Sequence, residues 1–426
     1  MMKILTYEQA KQEQIFVRSA AESNVSDIVT DIITQVRKKG DQALYEYAEK
    51  FDKAVLSTLE VSQEELDDSL NQIDPELRRV LTQAAENIRA FHSLQVRSLI
   101  RTEKENGVVL GQKITPIEKV GLYVPGGTAS YPSTVLMNAV PAQIAGCKEI
   151  VMVSPPSRGG KIAPVILAAA KLAGVSRVFT VGGAQAVAAL AYGTETVPKV
   201  DKIVGPGNAF VAEAKKQVFG TVNIDMIAGP SEILVVADGT CRPEFVAADL
   251  LSQAEHDKMA SAVLVTDSLD LAKAVQTEVE KQLAVLPREE IARVSIDQNG
   301  KIIVASDLKA AVDIANEWAP EHLEICVDHP FDFLDQVKHA GSVFLGKYCP
   351  EALGDYLAGP NHTLPTSGTA RFSSPLSVDD FIKKTQFMYY TQEALSEVSE
   401  DIARFARSEG LEAHARSATI RFKEDN

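Results

Sequence analysis

Imidazoles and carboxylates recur together through the second half of the chain. Six of the seven histidines, His256, His322, His329, His339, His362 and His414, lie there, several with an acid close by. The first such stretch is Leu250-Leu251-Ser252-Gln253-Ala254-Glu255-His256-Asp257. It follows Arg242-Pro243, and proline suits the first position of a helix. Val246, Leu250 and Ala254 form an apolar stripe at helical spacing, with Asp249, Gln253 and His256 along one flank. An amide and an imidazole three residues apart can converge on one point, as a metal requires. A core histidine bonded to its neighbours is the plainer alternative.

Trp318-Ala319-Pro320-Glu321-His322-Leu323-Glu324 places a carboxylate beside an imidazole at the entrance to an apolar run. Glu and His are common general acid–base groups, and histidine titrates near neutrality without help. Neighbours in a strand point to opposite faces, which counts against a joint role unless the turn continues through them. Gly354-Asp355-Tyr356 through Pro360-Asn361-His362 and Glu409-Gly410-Leu411 through His414 each supply one more acid and imidazole. Oxygen and nitrogen donors without thiolates suit zinc or manganese. Spacing alone cannot assemble donors so far apart.

Three glycine turns form a second group: Pro125-Gly126-Gly127, Gly182-Gly183-Ala184-Gln185 and Gly205-Pro206-Gly207-Asn208. Each leads from an apolar run towards a helix, where backbone N–H groups suit an anion. None is the GxGxxG fingerprint of dinucleotide sites, so each is also an ordinary tight turn.

The elements that must position these groups alternate. Val120–Val124, Glu149–Val153, Arg177–Val181, Lys202–Val204 and Ile233–Val236 read as strands, with helices between, and imply one parallel α/β domain over about 121–236. Ala262–Val265, Lys301–Val304, Leu323–Val327 and Ser342–Leu345 repeat the alternation over about 237–345. The expected fold class is therefore α/β, with two Rossmann-like parallel-sheet domains, a helical N-terminal segment and a C-terminal helical arm. Residues 1–100 read as mostly helical, with helices starting near Ser26-Asp27, Asp41 and Asp74-Pro75. Residues 346–380, rich in Gly and Pro, read as a long functional loop. The expected divisions are an N-terminal helical arm over 1–24, a main domain over 25–120 and 237–375, a second domain over 121–236, and an arm over 376–426.

A chain of 426 residues is too long for one ordinary core. Acids exceed bases by 15 (58 against 43), which argues against sequence-independent nucleic-acid binding. Four dispersed cysteines without a CxxC fit a reducing compartment. The opening Met1–Glu8 stretch lacks the apolar core of a signal peptide, and no apolar run is long enough for a membrane span. A cytoplasmic protein is expected.

Taken together and in order, the blocks Val120–Gly127, Val181–Ala186, Gly205–Asn208, Ala228–Glu232, Gln253–His256, Pro320–Glu324, Gly354–His362 and Glu409–His414 resemble the histidinol dehydrogenase family. The resemblance covers nearly the whole chain. It implies oxidation of L-histidinol to L-histidine through an aldehyde, with two hydrides passed to NAD⁺ and one Zn²⁺ per subunit. Carried over, Gln253, His256, Asp355 and His414 become zinc ligands, and Glu321 and His322 the acid–base pair. Ser231, Gln253, His256, His322, Asp355, Glu409 and His414 are implied for substrate, with His362 a weaker match, and Tyr123, Gln185 and Asn208 for NAD. The arm bearing His414 is implied to complete the partner's site in an intertwined homodimer. A zinc-dependent hydrolase of a small amide and a non-enzymatic two-domain binding protein are the rivals. The first leaves the glycine turns unexplained.

Overall fold

The computed structural model describes residues 1–16, 25–126, 130–157 and 159–422. They form two compact units, one of Met1–Gln95 with Ile117–Phe381 and one of Val96–Pro116 with Ile382–Asn426.

The larger unit holds two parallel sheets. In the first, Arg177–Thr180, Glu149–Ser154, Lys119–Tyr123, Lys202–Val204 and Asn223–Ile224 lie side by side in that order. In the second, the order is Lys3–Thr6, Lys301–Val304, Ser261–Thr266, Glu232–Ala237, His322–Cys326 and Ser342–Leu345. Setting aside Lys3–Thr6, both sheets have the order third, second, first, fourth, fifth along the chain. The chain reverses its direction of growth between first and fourth strands, which is where open α/β sheets form a crevice. The fold is α/β, with helices on both faces of each sheet.

Two strands depart from expectation. Glu232–Ala237 does not close the first series. It is the central strand of the second sheet, paired with Ser261–Thr266 and His322–Cys326. Buried on both faces, its Ile-Leu-Val-Val run fits either sheet, so sequence alone did not select its partners. The helical arm expected over 1–24 begins instead with Lys3–Thr6, an edge strand parallel to Lys301–Val304, followed by a helix over Tyr7–Gln12. Residues 17–24 of that arm lie outside the described residues.

The helices begin and end for local reasons. Asp74 accepts from the Leu77 N–H at 2.9 Å and caps Pro75–Ser93. Ser26 caps nothing; it is the first residue of Ser26–Lys39, and its hydroxyl bonds Glu213 instead. On the second sheet Ile233, Val235 and Ala237 face Val246, Leu250 and Ala254 of helix Pro243–Ala254, all fully buried or nearly so. Each buried Ile, Val or Leu side chain among them contributes about 1.5–3 kcal/mol.

The smaller unit has a three-stranded antiparallel sheet, Ile382–Tyr389, Val109–Pro116 and Ile100–Glu103, which sequence reading did not anticipate. The expected helical arm therefore contains a strand before its helices Gln392–Ser408 and Glu412–Thr419.

Candidate active site

Helix Pro243–Ala254 is the crossover between two parallel strands, so it starts beyond the carboxyl end of Glu232–Ala237 and returns to the amino ends. Its last turn carries Gln253, and His256 follows just past the helix end rather than within it. The same edge holds the start of His322–Cys326, whose first residue pairs with Ile233. Topology thus brings Gln253, His256, Ser231, Glu321 and His322 to one end of one sheet.

Glu321 and His322 grip a single residue between them. The Glu232 N–H donates to the Glu321 carboxylate at 2.9 Å. The Glu232 carbonyl lies 2.9 Å from His322 Nδ1. A carbonyl only accepts, so Nδ1 carries the proton and Nε2 of the neutral ring is the acceptor. Both side chains are buried. Their adjacency is no obstacle, because Ala319 adopts a left-handed φ of 53° and Glu321 precedes the strand.

Around His322 the acids crowd. Its Nε2 lies 3.7 Å from the Glu351 carboxylate. His322, Glu351 and Asp355 offer donor atoms all within 4.8 Å of one another. His362 Nδ1 sits 3.5 Å from Asp355. Burial pushes Glu351 up to about 8, helped by the charge on Asp355. Burial also opposes ionisation of Asp355, but bonding to His362 and the nearby imidazoles outweigh it and hold its carboxyl well below the usual range. Glu321 is raised well above that range, chiefly by burial. Burial lowers His256, with Asp355 partly restoring it. Beneath these lies Glu324, accepting the Glu351 N–H at 2.8 Å.

The glycine turns gather at the carboxyl end of the first sheet. The Gly183 N–H donates to the Tyr123 hydroxyl at 3.0 Å, and burial raises that phenol to about 12. A Cβ on Gly182 would stand 2.4 Å from Pro155, so only glycine lets these turns meet. Gln185 is buried in the first turn of helix Gly183–Tyr192. Asn208 is exposed and caps Ala209–Val218, accepting from Phe210 and Val211 N–H at 3.1 and 3.2 Å. Residues 127–129 lie outside the described residues.

Residues 17–422 match the family model of histidinol dehydrogenase. The histidinol dehydrogenase of Bacillus cereus is 56% identical over 404 residues, covering 95% of this chain and 94% of the relative. That of Listeria monocytogenes is 52% identical over 431 aligned positions, covering 100% of both. The crystal structure of histidinol dehydrogenase from Elizabethkingia anophelis matches with a TM-score of 0.94 at 39% identity, over 99% of this chain and 97% of that one. The chain belongs to the histidinol dehydrogenase family.

The resemblance read from the sequence blocks is thereby established, and the family is one of oxidoreductases, which favours an enzyme over a binding protein. Whether its residues fit a metal can be judged from the donors. Among the described residues, Gln253 Oε1, His322 Nε2 and Glu351 Oε1 are buried without a hydrogen-bond partner. Orphaned buried acceptors are costly unless something meets them. A cluster of N and O donors that includes Asp355, with His256 in its field, fits a divalent cation such as zinc.

Of the expected residues, Asp355 joins His322 in the cluster, His256 lies close enough to feel both, and Gln253 lies in the last turn of helix Pro243–Ala254. Ser231 is half-buried beside the Glu232 strand, its carbonyl accepting from Ser261 at 3.0 Å. Glu409 and His414 belong to the smaller unit, where both are exposed. Glu351 was missed. Its signal was faint: an acid four residues before Asp355, on the same face of helix Glu351–Tyr356.

Proposed function

We propose that this chain oxidises L-histidinol to L-histidine through histidinal, using two NAD⁺ and one Zn²⁺ per subunit. The observation that carries this is the grip on Glu232, which fixes the His322 tautomer and leaves a buried Nε2 free to accept a proton. Bound Zn²⁺ would supply fixed positive charge to hold and orient the substrate, and bound NAD⁺ would accept hydride. Gln253, His256, Asp355 and His414 are assigned to the metal, with Tyr123, Gln185 and Asn208 assigned to NAD.

His322 takes the hydroxyl proton as the alcohol becomes an aldehyde. Water then adds to the aldehyde carbon: Glu321 takes the water proton while His322 returns its proton to the aldehyde oxygen, giving the hydrate and a neutral His322. Burial makes the Glu321 carboxylate a stronger base than an exposed one. One of its oxygens is committed to the Glu232 N–H, so proton transfer falls to the other. His322 takes the next hydroxyl proton as the hydrate becomes the acid. Ser231, Glu409 and His362 are assigned to orienting the substrate.

A second ligand set has its own support, since the donors gathered within 4.8 Å are His322, Glu351 and Asp355. In that arrangement His322 would be a ligand and not a base.

The intertwined homodimer is supported by apolar side chains exposed on the smaller unit, among them Met388, Tyr389, Phe405 and Ile420. Mixing inactive His256→Ala and His414→Ala chains is expected to restore activity, because one site of a heterodimer receives both intact residues. Verified heterodimers without activity would place His414 outside its partner's site. A cytoplasmic location accords with four free cysteines, and among the described residues no helix is long and apolar enough to cross a membrane.

Removal of the metal tests the central assignment. Chelation is expected to abolish NADH formation while the far-ultraviolet helical signal stays, and added Zn²⁺ to restore turnover. Loss of the helical signal would make the metal structural.

A further inference from the structure

One ion pair in the first sheet is buried almost completely. The Lys215 side chain is 2% exposed and that of Asp225 1%. Lys215 Nζ donates to the Gly205 carbonyl at 2.9 Å and to Asp225 Oδ1. Asp225 Oδ2 accepts the Gly205 N–H at 2.7 Å, and its Oδ1 also accepts the Met226 N–H at 2.6 Å. Both backbone polar groups of Gly205 are therefore held by one pair of opposite charges.

Taking two full charges out of water is costly, and apolar residues of similar volume often serve a core equally well. What an apolar pair cannot do is fix a carbonyl and an N–H at once. Gly205 needs such fixing. It sits at φ 109°, and a Cβ there would lie 2.2 Å from the Tyr123 carbonyl. It ends the strand Lys202–Val204, at the crossing between first and fourth strands. Three residues on, Asn208 caps the helix that carries Lys215, and Asp225 follows the fifth strand, donating its N–H to the Ile203 carbonyl at 3.2 Å. Strand, turn and helix thus meet on one buried salt bridge.

We infer that Lys215 and Asp225 are positioning residues that set the Gly205–Asn208 turn as a seat for the dinucleotide. This rests on the assignment of NAD to the first sheet. Among the described residues no hydrogen bond or ion pair links Lys215 or Asp225 to the acids around His322 or to the metal donors, so the effect is expected chiefly on cofactor binding.

The test uses the zinc-loaded enzyme with both charges removed together, K215M/D225N, so that no lone charge stays buried. The KM for NAD⁺ is expected to rise at least about tenfold, since small displacements of positioning groups carry large penalties. The KM for histidinol and the zinc content should stay as in the unaltered enzyme, and kcat at saturating NAD⁺ should fall less than KM rises. A folded variant with an unaltered KM for NAD⁺ would overturn the inference. Should the variant not fold, amide exchange on the unaltered enzyme decides: the segment from Val204 to Asn208 is expected to gain protection when NAD⁺ is added. A response to NAD⁺ elsewhere but not in that segment would overturn the positioning role. No NAD⁺ response anywhere would instead remove the cofactor assignment on which it rests.

Discussion

The two parallel sheets of the larger unit share one strand order and use opposite ends of it. In the first, the glycine turns and Tyr123 stand at the carboxyl ends of the strands, where the strand order itself locates a crevice. In the second, Glu321, His322 and the grip on Glu232 stand at the amino ends of the first and fourth strands. Near the carboxyl ends of those two strands Cys241 and Cys326 are buried, with sulfurs 2.8 Å apart. Strand order therefore says where a sheet splays open, while the buried polar side chains of the second sheet gather at its other end. Both ends use the same device, two side chains holding the N–H and the carbonyl of one residue: Glu321 and His322 on Glu232, Lys215 and Asp225 on Gly205.

The largest expected effect breaks the second sheet and leaves the first intact. His322→Ala should lose about 10²- to 10⁴-fold in both oxidations, the usual cost of a missing positioned base. It should still bind NAD⁺ and, if His322 is the base, keep its zinc. Loss of zinc from the purified variant would favour the His322–Glu351–Asp355 ligand set. Glu321→Gln should lose a similar factor in the oxidation of histidinal only, with histidinol and histidinal still interconverting. Single-turnover assays begun from each compound separate the two steps, and equal loss in both would refute the division of labour between these neighbours.

A smaller effect sharpens the contrast from the side of the first sheet, where Asp52 acts on Tyr123 through its charge. Burial raises Asp52 from 3.8 to about 6. Between about pH 4 and 6 the native state keeps a proton on Asp52 that the unfolded chain has released, so the stability contributed by Asp52 falls as pH rises through that window and levels off above it. The denaturant midpoint of Asp52→Asn relative to that of the unaltered protein should rise with pH across the same window. Parallel slopes in the two proteins would show that Asp52 titrates normally.

Much of this was legible in the chain. Apolar runs at Glu149–Val153, Lys202–Val204, Lys301–Val304 and Ser342–Leu345 fall on observed strands, because parallel strands buried on both faces leave a continuous β-branched signature. Pairing was not legible. Glu232–Ala237 could join either sheet, and the short edge strand Lys3–Thr6 had only four residues with which to announce itself. The antiparallel strands Val109–Pro116 and Ile382–Tyr389 pair across most of the chain, and neither reads as a strand without the other. At the site, residue types suggested acid–base chemistry at Glu321 and His322, but the tautomer of His322 depends on a carbonyl ninety residues away. Glu351 looked like an ordinary acid in a helix's first turn, and only its burial against His322 distinguishes it.

The most direct measurement counts NADH formed per L-histidinol consumed by the zinc-loaded enzyme at saturating NAD⁺. Two oxidations at one acid–base pair require a ratio of about two, with histidine as the product. A ratio of about one with histidinal released, or no NADH at all, would contradict the assignment of both steps to Glu321 and His322.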